Sequence, residues 1–209
     1  LYEKGLPIVF FDRVTSEINT HKVCADNFKG AYDATEHLIN NGFKRIGHIT
    51  SAPYLSISME RLEGYKEALR KNNMEYDEKL VQHGYNGGMI YDEVEDALKK
   101  IFKLKQKPDA LFTAGDRITT TCMQALQKLG KKIPDDIAII GFTNTTIGEL
   151  FNPSLSVVRQ PAFEIGQVAT ELLISMIESK RPVTEFENKV LQTEMVIRES
   201  SAKNITPKK

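Results

Sequence analysis

Asp12, Arg61, Tyr85, Asp116, Thr143 and Gln160 fall just after short apolar runs or near the starts of helical ones. In an open α/β sheet the ligand crevice lies beyond the carboxyl ends of the strands, so these residues stand where a cleft would form. Carboxylates accept hydrogen bonds from hydroxyls, a guanidinium donates a fixed fork, and an aromatic face covers the apolar side of a ring. That mixture suits a polyhydroxylated small molecule. Each residue also has a plainer use. Asp116 can cap a helix, Arg61 can pair with a carboxylate at a helix start, and Tyr85 can sit at a core edge. Asp12 ends a buried strand, where an Asp needs a specific partner, and contact with a ligand or a hinge is its favoured role.

Other chemistry finds no support. There is no Gly-x-Ser-x-Gly elbow, no Gly-x-x-x-x-Gly-Lys phosphate loop and no Gly-x-Gly-x-x-Gly fingerprint. His21, His37, His48 and His83 lack metal-ligand spacing, so neither a metal nor a cofactor is expected. Asp135-Asp136 reads as a helix-to-strand turn beside Pro134. The lysines at 99, 100, 103, 105 and 107 read as a solvated helix end that complements the helix dipole. Basic and acidic residues balance at 28 each, so the chain alone carries no electrostatic footprint for nucleic acid. The start LYEKGLPIVFFDR lacks the features of a signal peptide, and no apolar run is long enough to span a bilayer. Cys24 and Cys122 read as free buried thiols in a reducing compartment. The expectation is a cytoplasmic, non-enzymatic protein with no membrane partner.

The elements that must position these residues centre on PDALFTAGDRITTTCMQALQKLGKKIPDDIAIIGFTN, Pro108 to Asn144. It reads as strand, helix, strand, with the strands near Ala110–Ala114 and Ile137–Phe142. Both are continuously apolar, as in strands buried on both faces of a parallel sheet. Asp116 is the expected N-cap of the intervening helix, Gly130 its terminator, and Ile118, Cys122, Ala125, Leu126 and Leu129 its core stripe. Further strands are expected at Ile8–Phe11, Val23–Ala25, Arg45–Thr50, Leu80–Gly84, Leu155–Arg159 and Val190–Arg198. Helices are expected after Asp26, over Arg61–Lys71, over Ile90–Lys103 and over Phe163–Ser179. A loop without period is expected over Ser51–Glu60 and a disordered basic tail over Ser201–Lys209. Alternating strands and helices specify a doubly wound α/β architecture. Periodicity leaves open whether there is one sheet or two.

The central block, with Ile8–Arg13 (IVFFDR), Asp26–Gly42, Arg45–Thr50 (RIGHIT), Arg61–Leu69 and Pro153–Gln160 (PSLSVVRQ), resembles the effector-binding core of LacI/GalR-family bacterial transcription regulators. The blocks occur in family order from about Gly5 to Ser200. The resemblance implies two flavodoxin-like, doubly wound parallel-sheet lobes, like a type I periplasmic binding protein, joined by three crossings. On that reading residues 1–44 hold part of an N-terminal lobe and a crossover helix, and 45–150 the C-terminal lobe. Residues 151–188 return to the N-terminal lobe, 189–200 add the last strand of the C-terminal lobe, and 201–209 are tail. The N-terminal lobe is expected to be incomplete, the chain being a fragment that starts within it.

Carried onto this sequence, the resemblance makes Arg61 an effector-holding arginine and Asp12 and Tyr85 a cleft carboxylate and a cleft aromatic. Asp116 matches the acid of the family's Asn-Asp pair, with Gly115 in place of the Asn. Thr143 stands where a second acid is usual, and Leu55 and Ile57 occupy loop positions that are often polar. A less hydroxylated or anionic effector, with Arg61 and Arg117 as counter-charges, is one expectation. The implied partners are a sugar-like effector, a second copy in a homodimer, and operator DNA bound only through a missing helix-turn-helix headpiece. Helix Arg117–Leu129, with Thr119, Thr120 and Met123 off its core stripe, is read either as part of a dimer face or as ordinary solvated helix surface. Rival readings are a periplasmic sugar-binding protein and an α/β enzyme.

Overall fold

A computed structural model describes residues 5–179 and 183–202. In chain order it begins with β1 (Val9–Phe11), β2 (His21–Ala25), α1 (Asn27–Asn40), β3 (Ile46–Thr50) and α2 (Ser56–Lys71). Next come β4 (Val81–His83), α3 (Tyr91–Phe102), β5 (Ala110–Ala114), α4 (Asp116–Lys128) and β6 (Ala138–Phe142). The described chain closes with β7 (Ser156–Arg159), α5 (Ala162–Glu178), β8 (Asn188–Leu191) and β9 (Glu194–Val196).

The larger sheet has the order β4-β3-β5-β6-β7-β9, all parallel except the edge strand β9. Every residue of β3, β5 and β6 is buried because helices cover both faces. Ala110, Phe112 and Ala114 pack with α1 and α2 through Ala31, Leu38, Tyr65 and Leu69. Leu111 and Ile139 face α3 and α4 through Val94, Leu98, Ile118 and Leu126. The smaller sheet, β1-β2-β8, is parallel and is covered by α5, whose Ile165, Ala169 and Leu172 meet Val23 and Ala25. The two sheets with their helices are the two lobes of an α/β fold.

The chain passes between the lobes at Asp26, at Gln160-Pro161 and between β8 and β9. These crossings are tied to one another and to the large lobe. Asp26 N–H donates to the Leu191 carbonyl at 2.8 Å, and Gln160 N–H donates to Asn144 Oδ1 at 2.7 Å.

Several elements depart from the sequence reading. β7 was expected in the return to the small lobe, but it pairs with β6 and β9 in the large sheet. The expected single strand Val190–Arg198 is two strands in two sheets, with the third crossing between them. Helix α1 packs beside α2 on the large sheet. The loop expected over Ser51–Glu60 is helical from Ser56 onward, since Ile57, Arg61 and Tyr65 are buried on one stripe.

The expected tail begins inside the fold; residues 203–209 lie outside the described residues. Ser200 and Ser201 are buried beneath the large sheet. Ser156 Oγ donates to the Arg198 carbonyl (2.9 Å) and accepts from Arg198 N–H (2.7 Å) and from Ser201 Oγ (2.7 Å). With its hydrogen committed there, Ser201 accepts from His37 Nε2 at 2.8 Å. Proton counting thus fixes the Nε2–H form of His37.

Candidate functional site

A cleft of ≈ 440 Å³ opens at the carboxyl ends of the large sheet's strands. Its floor comes from Ala114 and Gly115 after β5, and its walls from Ser51, Tyr54 and Leu55 before α2 and from Tyr85–Gly87 after β4. Arg13, just past β1, brings the small lobe to the same space.

Arg61 is the most constrained group in it. Only 3% of the residue is exposed. Its Nε donates to Asn27 Oδ1 at 2.9 Å, its Nη2 reaches Gln160 Oε1 at 3.4 Å, and its Cζ lies 3.7 Å from the Phe142 ring centroid. Burial lowers its pKa to about 10, opposed by the fields of Asp12, Asp116 and Glu60, so it stays charged at neutral pH. The carboxylate pairing expected for a structural arginine is absent: no salt bridge involves Arg61 among the described residues. A close helix crossing positions it. A Cβ on Gly64 would lie 2.2 Å from the Phe28 carbonyl oxygen, so only glycine lets α2 approach α1 closely enough for Arg61 to reach Asn27. Asn27 is itself 2% exposed, and its amide also donates to Glu60 at 2.8 Å.

Asp116 lines the cleft, but it does not cap its helix, contrary to the sequence reading. Gly115 is the cap residue, and the Asp116 carboxylate instead accepts from Thr143 Oγ1 at 2.5 Å and from Asn144 N–H at 2.7 Å. It ties the start of α4 to the end of β6. Gly115 has φ +152 and ψ 149, a region that side-chain-bearing residues rarely enter. The glycine in place of the family's Asn therefore reflects backbone shape as well as a lost amide.

Of the eight expected site residues, Leu55, Ile57, Arg61, Tyr85 and Asp116 line the cleft. Thr143 and Gln160 stand behind it, on Asp116 and Arg61. Asp12 is off the wall, in a left-handed backbone conformation with φ 59, and its charge supports Arg61. Tyr85 is 60% exposed at the mouth, held there by Glu93, whose carboxylate accepts from Tyr85 N–H at 2.7 Å. The Gly87-Gly88 turn makes this possible, because a Cβ on Gly88 would lie 2.5 Å from Ile118 N. The sequence reading missed Arg13, Tyr54, Asn86 and Met89 on the wall and Asn27 behind it. Only Asn27 had a local signal, as an amide directly after a helix-capping Asp.

The candidate dimer helix is corrected in part. Thr119 is fully buried and Met123 is 6% exposed, packed among Leu98, Ile118 and Leu126. The histidines have structural settings. His48 stacks between Tyr65 and Phe112, with ring centroids 5.1 and 4.8 Å away. His21 Nδ1 accepts from Glu187 N–H, and His83 Nδ1 lies 2.9 Å from the Ser51 carbonyl. The His37–Ser201 pair runs the wrong way for a nucleophile and its base, because the ring donates to the hydroxyl. No group of His, Cys, Asp or Glu suited to holding a metal occurs among the described residues.

Comparison with known proteins agrees with this fold. The periplasmic binding protein-like domain family matches residues 35–201. The HTH-type transcriptional regulator CelR of Thermobifida fusca is 33% identical over 202 residues, covering 96% of this chain and 58% of that protein. The ribose operon repressor of Halalkalibacterium halodurans is 31% identical over 201 residues, with the same coverages of 96% and 58%. A solved CelR–cellobiose complex superposes with a TM-score of 0.83 at 33% identity, over 95% of this chain and 60% of that one. The chain thus spans a little over half the length of the curated relatives it matches. It belongs to the periplasmic binding protein-like domain family, and it corresponds there to the effector-binding core of LacI/GalR-type transcription regulators.

Proposed function

We propose that this chain binds a small sugar-like effector in the cleft between its lobes and acts as the sensing and dimerising core of a transcription regulator. One observation carries the reading. Arg61 lines the cleft and also bonds Asn27 and Gln160, at two of the three crossings between the lobes. A ligand that engages Arg61 acts on the hinge directly. A differential affinity for two lobe arrangements is what an effector needs to shift their populations. Asp12, Leu55, Ile57, Tyr85, Asp116, Thr143 and Gln160 complete the proposed effector site, on the cleft wall or one contact behind it. Operator DNA is then engaged through a helix-turn-helix headpiece outside this chain, in a cytoplasmic homodimer.

Relatives named for cellobiose and ribose make a neutral-sugar panel the natural first probe. Isothermal titration of the chain with cellobiose, ribose and their phosphorylated or oxidised analogues should find at least one binder, lost on Arg61→Gln. A panel with no binder counts against the reading. Sequencing the coding region upstream of Leu1 separates it from the rival. A helix-turn-helix there supports the regulator, and a signal peptide without one supports an exported sugar-binding protein.

A further inference from the structure

The cleft is rich in hydrogen-bond donors and poor in acceptors. Arg13, Arg61 and Arg117 all line it, and none is salt-bridged among the described residues. Arg61 is nine-tenths buried, so its charge meets little solvent except through the cleft. The one carboxylate on the wall, Asp116, accepts from Thr143 and Asn144 through Oδ1, which leaves Oδ2 and a single negative charge against three arginines. Asp12 and Glu60, which support the Arg61 charge, are not on the wall. Helices α2 and α4 begin at the cleft on Leu55 and Gly115 without any side-chain cap, so the positive ends of both helix dipoles face the same space.

A neutral polyol supplies donors and acceptors alike and leaves part of such a wall unmatched, and buried unmatched donors are costly. An oxyanion supplies acceptors only and fits the guanidinium fork. We propose that the cleft selects a sugar bearing an acidic group, phosphate or carboxylate, held by Arg61, Arg117 and Arg13 while Tyr85 covers the ring. This rests on the effector-site reading above and narrows it to a ligand class.

The test is titration calorimetry of the chain with glucose 6-phosphate and glucuronate against cellobiose and ribose, at low and high salt. At least one acidic sugar should bind roughly tenfold tighter than either neutral one and weaken as salt rises. Arg61→Gln and Arg117→Gln should each cost that acidic sugar roughly tenfold in affinity. Arg117 is exposed, so its variant reports even if the buried substitution perturbs folding. Neutral sugars binding as tightly as both acidic ones overturn the acidic preference and leave the sugar-sensing reading intact. Acidic-sugar binding untouched by both substitutions overturns this assignment of the arginines. Absence of binding by all four overturns both readings. The phosphate and carboxylate probes, compared with each other, identify which acid is preferred.

Discussion

The Arg61 guanidinium carbon lies 3.7 Å from the centre of the Phe142 ring, so a residue of α2 rests its charge on the last residue of β6. This cation–π contact and the Asn27 bond offset the cost of burying the guanidinium. Replacing it by a similar-sized apolar side chain removes the desolvation cost of the charge but leaves the buried Asn27 Oδ1 without its donor, and the two changes partly offset. Arg61→Met should therefore change unfolding free energy by no more than about 2 kcal/mol, measured in urea, while abolishing any sugar-induced thermal shift. A folded variant that retains the shift would separate Arg61 from the effector.

Gly115→Asn reinstates the amide usual in LacI/GalR-type cores but forces a side chain into a backbone region essentially reserved for glycine. The expected cost is about 1–3 kcal/mol of stability, read as a lower denaturation midpoint. An unchanged midpoint would mean that the start of α4 relaxes freely.

The α1–α2 crossing is less forgiving. A Cβ on Gly64 would meet a backbone oxygen at 2.2 Å, with no flexible side chain able to yield. Gly64→Ala should destabilise by at least about 2 kcal/mol despite its better helix propensity. Gly166→Ala, with nothing near its Cβ, is the control and should be neutral or stabilising.

His48 links stability to acid pH. Burial lowers its pKa from 6.5 to about 3, and its Nε2 has no partner. Below pH 6.5 the unfolded chain binds a proton that the folded chain refuses, so stability is full above that pH and falls as pH drops towards 3. The slope from this group alone is about 1.4 kcal/mol per pH unit. His48→Phe keeps the stack with Tyr65 and Phe112 and should flatten the profile between about pH 6 and about pH 4, measured by urea unfolding across that range. An unaltered slope would assign the acid sensitivity elsewhere.

The proposed dimer is best probed away from the helix core. Met123→Asp places a charge among buried side chains and should unfold the large lobe, at a cost above about 3 kcal/mol. Leu150 is 83% exposed and borders a groove with Met123, Gln127 and Phe151. Leu150→Asp should leave the fold intact and convert a sedimenting dimer to monomer. A dimer that survives the change uses another face.

The strands β3, β5 and β6 were legible because burial on both faces writes an unbroken apolar run into the chain. The sheet that β7 joins was not, because pairing is decided by β6 and β9, far away in sequence, and leaves no local period. The start of α2 was hidden by Ser56, Ser58 and Glu60, which are polar though Ser58 is buried. Ser201 looked like tail for a similar reason: hydrogen bonds, not hydrophobicity, bury it. The cleft was legible as strand ends but not as a wall. Arg13 and Met89 reach it through loops whose paths depend on the Gly87-Gly88 turn and on the second lobe.

The three crossings carry a mechanical consequence. One tether lets a lobe swing in any direction, and two define a line about which it can both open and skew. A third beside them, with the first fastened to it through Asp26 and Leu191, resists the skew and leaves a single easy coordinate, like pages turning on a bound spine. Whatever occupies the cleft can then report only how far open the pair of lobes stands. On the proposed sensing role, a chemically varied ligand would thereby be reduced to one number that a distant surface could read.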